Sequence, residues 1–261
     1  HLREGPLTNP DALGGRTWHR RARAALRERA AVLAARGGGA ASARRLASSR
    51  FARQVGSTLL AQVLSLFLTM ATAAIIARVL GPSGKGLISL ATLVPAMLAL
   101  FLSAGISVAN VYFVGSGRLP IDRIARASTA FALAASAAGG GLVAAGALTG
   151  AFAAILPGVP LALVLVAQIM LPFQLLVLAW GTILQGQERI PLVNAGNLLR
   201  SVLLLAFTAA ILVWPAQGHL TAVVATVVST AAQAAWLGTI LRRDGVPLQP
   251  RWDPEALRAL L

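Results

Sequence analysis

The stretch that decides the fold is residues 77–118, which read ARVLGPSGKGLISLATLVPAMLALFLSAGISVANVYFVGSGR. It begins with a basic, glycine-rich turn and continues as a long apolar run. Thirty-two residues without Asp, Glu, Lys or Arg separate Lys85 from Arg118. A helix rises about 1.5 Å per residue, and roughly 20 apolar residues cross a bilayer. The stretch therefore predicts a membrane span, the second of several along the chain.

The composition of the whole chain agrees with this interpretation. Hydrophobic residues make up 57% of the sequence and charged residues 12%, and the mean hydropathy is +0.74. Soluble domains carry roughly 25% charged residues. Without cysteine there is no disulfide framework, thiolate nucleophile or cysteine-based metal site, and the three histidines show no ligand spacing. We predict an integral membrane protein without metal or cofactor.

The net charge of +15 is concentrated in the first 53 residues, which hold twelve of the 23 basic residues and three of the eight acids. A basic segment before a hydrophobic run is typical of a cytoplasmic tail, so we do not expect nucleic-acid binding. The tail is predicted to be either disordered or a basic amphipathic helix on anionic headgroups.

Apolar segments separated by polar turns define the rest of the chain. Residues 127–187 carry no charge, which is too long for one span and suits two, with the hinge at Pro157 and Pro160. We predict an all-α integral membrane protein with a six-transmembrane-helix bundle over residues 54–245, and residues 246–261 as the cytoplasmic or interfacial start of a missing second half. The spans are placed at about 55–76, 87–114, 127–148, 161–184, 190–213 and 220–241.

The charges between the spans predict the orientation. With a cytoplasmic N-terminus, the outer turns contain Arg78 and Lys85, and the inner loops contain the larger basic set. This distribution agrees with the positive-inside rule. The inner set is Arg118, Arg123, Arg126, Arg189, Arg242, Arg243 and Arg251, with the first three predicted to lie in one loop.

Polar residues recur at helical spacing along several spans and share one face of each. Small polar residues commonly pack helices together in membranes. The alternative is a hydrated central cavity, and the two interpretations stand nearly equal for the four amide side chains. These candidates are Gln62, Asn110, Asn197 and Gln233.

Arg200 lies eleven residues into the fifth predicted span, and the next charged residue after it is Arg242. An arginine at that depth costs a few kcal/mol unless it faces water or a partner. No carboxylate occurs within the spans to pair with it. Either it snorkels to an interface, or it binds an anion such as phosphate through its planar fork of donors.

The same lack of acids argues against an enzyme. Metal-dependent prenyl or glycosyl transfer requires acidic ligands for Mg²⁺, and the spans contain none. The chain has no nucleotide-binding phosphate loop, and Gly139–Gly141 lies inside a span as a packing or kink feature. We predict no catalytic residues.

Ala77-Arg78-Val79-Leu80-Gly81-Pro82, followed by Gly84 and Gly86, resembles the end of the first helix in bacterial polysaccharide biosynthesis flippases. These belong to the multidrug/oligosaccharidyl-lipid/polysaccharide exporter superfamily. The segments Ser103–Asn110 and Leu184–Arg189 are also similar to turns and helix ends of that family. The resemblance covers roughly residues 50–245, about one six-helix lobe.

The resemblance implies the N-terminal lobe of a two-lobed, alternating-access transporter in the bacterial inner membrane. Its substrate would be a polyprenyl-pyrophosphate-linked oligosaccharide, turned from the inner to the outer leaflet. Arg200 is the position that would engage the pyrophosphate, and Arg78 matches the family turn but also suits an anchor at the outer interface. The second lobe, absent from this chain, would be its partner.

Two other functions stay open at this stage. A cation-coupled multidrug exporter of the same superfamily would need acids within the membrane, which this lobe lacks. A membrane scaffold without transport activity would assemble polysaccharide polymerase or synthase components through the basic tail.

Overall fold

The computed structural model describes the backbone of residues 39–103, 105–213 and 218–260, and the side chains of residues 56–103, 105–152, 154–210 and 218–260. The helical bundle lies within one compact unit, residues 57–261. The predicted tail, residues 1–53, lies outside the described residues except for helical backbone from Gly39 onward.

Every regular element of the described chain is a helix. We number them in chain order: α1 Gly39–Leu102, α2 Ile106–Ser116, α3 Ile121–Leu148, α4 Ala151–Ile155, α5 Leu161–Gln168, α6 Met170–Gly186, α7 Ile190–Val213, α8 His219–Arg243 and α9 Pro254–Leu260. Five stretches are long and apolar enough to cross a membrane: Gly56–Leu102, Ile121–Leu148, Leu161–Gly186, Ile190–Ala210 and His219–Arg243. The expected all-helical, multi-pass membrane fold is confirmed.

The first two predicted spans belong to one 64-residue helix that is broken at Gly81, where φ is 75° and ψ is 171°. This conformation is open to glycine and strained for other residues. Pro82 enforces the break because it disfavours helical geometry in the residue before it. The expected glycine-rich turn is thus a single-residue break, with helix continuing on both sides.

The second predicted span, 87–114, is not one continuous helix, which corrects the sequence-based expectation. Helix α1 ends at Leu102 and α2 begins after Gly105, which adopts a left-handed conformation with φ of 79°. The Ser103 hydroxyl donates to the carbonyl of Leu100 (2.8 Å), and the backbone N–H of Ile106 donates to the carbonyl of Ser103 (2.9 Å). These local bonds satisfy backbone groups that the break releases.

The third and fourth predicted spans also differ from the observed helices. Helix α3 begins at Ile121, so Arg123 and Arg126 lie in its first two turns rather than in a loop. The fourth span divides into α5 and α6 at Ile169. Pro172 explains the division, because proline has no N–H to donate to the carbonyl of Gln168 four residues earlier.

Close helix contacts depend on glycines, as is common in membrane bundles. A Cβ added to Gly238 of α8 would lie 2.8 Å from the ring of Trp180 on α6. One added to Gly186 of α6 would lie 2.7 Å from Cβ of Val114 on α2. Side chains larger than hydrogen would therefore push these helices apart.

The arm of α1 before Gly81 contributes little to the core of the bundle. Leu60 and Phe67 are 69% and 64% exposed, and most of their apolar neighbours on this arm are also exposed. By contrast, Ile88 and Ala91 beyond the break pack against α5 and α8. An apolar exposed surface of this kind suits hydrocarbon rather than water.

Candidate functional site

The polar face of α7 pairs with the polar face of α8 along an antiparallel register. The side-chain amide of Gln233 donates to Oδ1 of Asn197 at 2.6 Å. One helical turn away, Nε of Arg200 donates to Oγ1 of Thr230 at 3.3 Å. We call these four residues the α7–α8 polar seam. Three of its members, Asn197, Arg200 and Gln233, are residues that the sequence predicted as cavity candidates.

Arg200 lies in the middle of a membrane-crossing helix with one described hydrogen bond. Its partner, the Thr230 hydroxyl, donates its own proton to the carbonyl of Thr226 (2.8 Å) and so accepts from the guanidinium. The four remaining N–H groups of Arg200 have no acceptor among the described residues. No Asp or Glu occurs in the sequence between Glu188 and Asp244. The side chain is half-buried, so these donors are available to an incoming anion.

Asn197 adds donors one turn from the guanidinium. Its Oδ1 is occupied by Gln233, which leaves its own amide N–H groups unpaired among the described residues. Asn197 is exposed whereas Gln233 is only 3% exposed. The accessible side of the seam therefore presents mainly hydrogen-bond donors and a positive charge.

Asn194, one turn before Asn197 on α7, contacts the first arm of α1. Its amide donates to the hydroxyl of Thr58 at 3.2 Å. The other two predicted candidates, Gln62 and Arg78, are on this arm and are exposed, and no described hydrogen bond links them to the seam. Their part in a site stays a prediction.

Asn110 occupies a different place from the other candidates. It is completely buried, and Oδ1 accepts from the hydroxyl of Ser128 on α3 at 2.9 Å. Its amide nitrogen approaches the hydroxyl of Thr182 (3.3 Å) and the carbonyl of Ala179 (3.4 Å), both on α6. Asn110 therefore joins α2 to α3 and α6 through buried hydrogen bonds, and we leave it out of the candidate site.

A small recess lies beside the Gly105 break, bordered by Ser107, Phe131 and Leu175 among others. Its walls are almost entirely apolar, and no residue of α7 or α8 lines it. It is therefore separate from the α7–α8 polar seam.

The basic residues of the predicted inner loops gather at one end of the bundle, which we call the basic end. Arg123 at the start of α3 pairs with Asp253 (2.7 Å) and Glu255 (3.1 Å), which flank the start of α9. Arg189 pairs with Asp244 in the same region. Ala256, Leu257 and Leu260 of α9 are buried in one apolar cluster with Ile106 and Ile124. The segment after α8 therefore folds back onto α2 and α3.

Asp253 links the start of α9 to the start of α3. Its Oδ2 accepts from Arg123, and its Oδ1 accepts from the backbone N–H of Ala256 at 3.1 Å, which caps α9. The Arg123 guanidinium, followed by the Ala256 N–H, lowers the pKa of Asp253 to about 2. Both carboxylate oxygens are thus engaged.

The low pKa of Asp253 predicts how the docking of α9 depends on pH. The carboxyl pKa is lower in the folded chain than its usual value of about 3.9, so its stabilising contribution is complete above that value. It is lost as the pH falls through about 2. Spin labels at Ala134→Cys and Ala259→Cys, in a chain that has no native cysteine, should keep a narrow distance distribution from neutral pH to about pH 4.

At neutral pH, Arg123→Ala should broaden that distribution, and Arg258→Ala should not. Arg258 is the matched control because it is an exposed arginine of α9 without a described ion pair. Broadening of the wild-type distribution between neutral pH and about pH 4 would contradict the Asp253 assignment.

Comparison with known proteins gives a likeness of fold. No protein-family model and no curated protein matches the sequence. A solved structure, described as a MOP superfamily transporter from Pyrococcus furiosus whose binding pocket has reversed polarity, matches with a TM-score of 0.58 and 17% identity. The match covers 78% of this chain and 48% of that one. The chain therefore has the fold of about half of a transporter of the multidrug/oligosaccharidyl-lipid/polysaccharide (MOP) superfamily.

Two sets of contacts outside the α7–α8 polar seam could not be predicted from the sequence. Ser128 and Thr182 are the hydrogen-bond partners of Asn110, but nothing in the sequence distinguishes them from other small polar residues. The pairing of Arg123 with Asp253 joins residues 130 positions apart. Neither has a local spacing signal that sequence inspection would detect.

Proposed function

We propose that this chain is one lobe of a flippase that moves a polyprenyl-pyrophosphate-linked oligosaccharide across the bacterial inner membrane for surface polysaccharide synthesis. The observation that carries the proposal is Arg200, a cation in mid-membrane whose described neighbours include no carboxylate and which has free donors beside Asn197. A guanidinium binds phosphate oxygens in a bidentate fork. The half-transporter fold supports the placement of this site in a translocation pathway.

The proposed pathway needs a second wall. This chain spans about half the length of the transporter that it matches, and the exposed first arm of α1 lies on the same side as Asn194 through the Thr58 bond. A second lobe of similar size would complete the cavity, which would open alternately to each side. Transport of this kind requires no catalytic residue.

The orientation is also part of the proposal. The basic end, with Arg123, Arg126 and Arg189, would face the cytoplasm, together with the N-terminus. Arg200 would then lie about 15 Å into the membrane from the start of α7, given the helical rise per residue. A pyrophosphate entering from the inner leaflet would reach it near the middle of the bilayer.

The charges of the seam favour this substrate over the alternatives. A cation-coupled drug exporter would present carboxylates to a cationic substrate, and the seam presents a guanidinium and amide donors. The scaffold hypothesis offers no reason for a cation in the middle of a span, which costs a few kcal/mol there.

Deletion of the gene tests the proposed function. Polymer export should stop, and lipid-linked repeat units should accumulate in a form that an external glycosidase cannot reach in spheroplasts. Complementation with the wild-type gene is the control and should restore both. Normal polymer without such accumulation would refute the flippase and favour the scaffold.

A further inference from the structure

Two arginines at the basic end are adjacent through their backbones and have no described acidic partner. The backbone N–H of Arg251 donates to the carbonyl of Arg126 at 3.4 Å. Arg126 lies in the second turn of α3, and Arg251 lies in the segment between α8 and α9. Two positively charged side chains on residues whose backbones are in contact favour the binding of an anion that both can reach.

The nearby carboxylates of the described chain form no ion pair with Arg126 or Arg251, because they have other partners. Both oxygens of Asp253 are engaged, one by Arg123 and one by the backbone of Ala256, and Glu255 also pairs with Arg123. Among the described side chains, no acid forms an ion pair with Arg126 or Arg251.

Arg126 also has a buried donor without an acceptor. Its Nε is shielded from solvent and makes no hydrogen bond within the described part of the chain. A buried donor attached to a charged group is costly when unpaired and calls for an ion or a water as partner. The unpaired Nε is a second observation, separate from the lack of described acidic partners, and it also indicates a ligand.

The surroundings indicate which anion fits. Trp252, next to Arg251, is 64% exposed, whereas Leu248 and Ala256, four residues before and after it, are buried. Tryptophan beside arginine is typical of the headgroup level of a membrane, where the indole and the phosphates meet. A guanidinium presents its donors in a geometry that matches two phosphate oxygens.

We propose that Arg126 and Arg251 form a binding site for a phosphate group, supplied by the headgroup of an anionic phospholipid in the leaflet at the basic end. The site is distinct from the α7–α8 polar seam and does not depend on the substrate proposed above. Arg123 serves it indirectly, because its ion pairs hold the segment with Arg251 against α3 and occupy the competing carboxylates.

The test measures lipid binding by the full 261-residue chain, purified in a neutral detergent, with phosphatidylglycerol, phosphatidylcholine or inorganic phosphate as the added probe. Native mass spectrometry gives the apparent Kd of each. Phosphatidylglycerol should bind at least about tenfold more tightly than phosphatidylcholine, because both offer phosphate oxygens but the choline cation of the second is repelled by the two guanidinium groups. Equal binding of the two lipids would overturn the proposal.

The variant Arg126→Ala/Arg251→Ala should lose that preference. The matched control, Arg243→Ala/Arg258→Ala, removes two exposed arginines of the basic end and the same charge, and should keep it. Arg126→Lys keeps the charge but not the fork and should weaken phosphatidylglycerol binding even if the double variant folds poorly. Equal loss in both double variants would reduce the effect to net charge and refute a specific site.

Inorganic phosphate separates the two sources of the ligand. If it displaces phosphatidylglycerol only at concentrations far above those of the lipid, the headgroup in its membrane setting is the ligand. If inorganic phosphate binds as tightly as the lipid, the site takes free phosphate and the lipid assignment is wrong. Polymer export by the double variant is measured separately and bears on the flippase proposal. The lipid-binding test does not use export, so either proposal can fail while the other stands.

Discussion

Arg200→Ala is expected to reduce the export of lipid-linked oligosaccharide by about tenfold to a hundredfold, because charge-assisted hydrogen bonds contribute about 1.5–3 kcal/mol each. The measurement is the rate at which repeat units become accessible to an external glycosidase in spheroplasts of a deletion strain carrying the variant. The loss should be largest for the pyrophosphate-linked substrate, since the free donors of Arg200 are the groups that would meet the phosphates.

Stability should not account for that loss. Arg200 makes one described hydrogen bond, to a neutral hydroxyl, and has no ion pair to lose. A charge in mid-membrane without a counter-charge is destabilising before it binds a ligand. We therefore expect the Ala variant to insert normally and to unfold at the same or a higher temperature.

Two further variants separate charge from geometry. Arg200→Lys keeps the positive charge but cannot bind bidentately, so we expect export between those of wild type and Arg200→Ala. Ser201→Ala is the matched control, because its hydroxyl bonds back to the carbonyl of Asn197 on its own helix (3.1 Å). Wild-type export by Arg200→Ala would mean that the guanidinium snorkels and would remove it from the proposed site.

Asn110→Leu should have the largest effect on stability, a decrease of about 2–3 kcal/mol in the free energy of unfolding. Interhelical hydrogen bonds in membranes contribute about 0.6 kcal/mol on average and up to about 1.7, and an orphaned buried donor adds to the loss. Leucine has the same branched shape and leaves no cavity, so the loss reports the hydrogen bonds to α3 and α6 together with the fit of two larger methyl groups.

Reversible unfolding in bicelles measures this change, and a double-mutant cycle assigns it. Ser128→Ala removes the donor to Asn110, and the two substitutions should be less than additive. Asn194→Leu is the control, since it removes a single, partly buried bond to Thr58 and should cost under about 1 kcal/mol. Full stability of Asn110→Leu with impaired export would return Asn110 to the list of cavity residues.

The parts of the fold that follow local rules were accessible from the sequence. The break before Pro82 and the long apolar stretches of α7 and α8 depend on proline chemistry and on hydropathy. The break at Gly105 was not anticipated, because a glycine within an apolar run is tolerated by a continuous helix as often as it interrupts one.

The partners within the site depend on tertiary register, which the sequence does not encode locally. Periodicity placed Asn197 on the polar face of its helix and Gln233 on the polar face of the next, and depth within the span singled out Arg200. That Arg200 meets Thr230 and that Asn197 meets Gln233 follows from the register of the two helices, which pack closely at Gly196. The burial of Asn110 also depends on tertiary register and could not be predicted from the sequence.

Trp180 offers a built-in optical reporter of the bundle. Its indole N–H donates to Thr129 of α3 at 3.0 Å, while its ring lies against Gly238 of α8. One chromophore on α6 thus senses two neighbouring helices at once. With the other four tryptophans replaced by phenylalanine, a shift in its fluorescence would reveal any sliding of these helices during the proposed transport cycle.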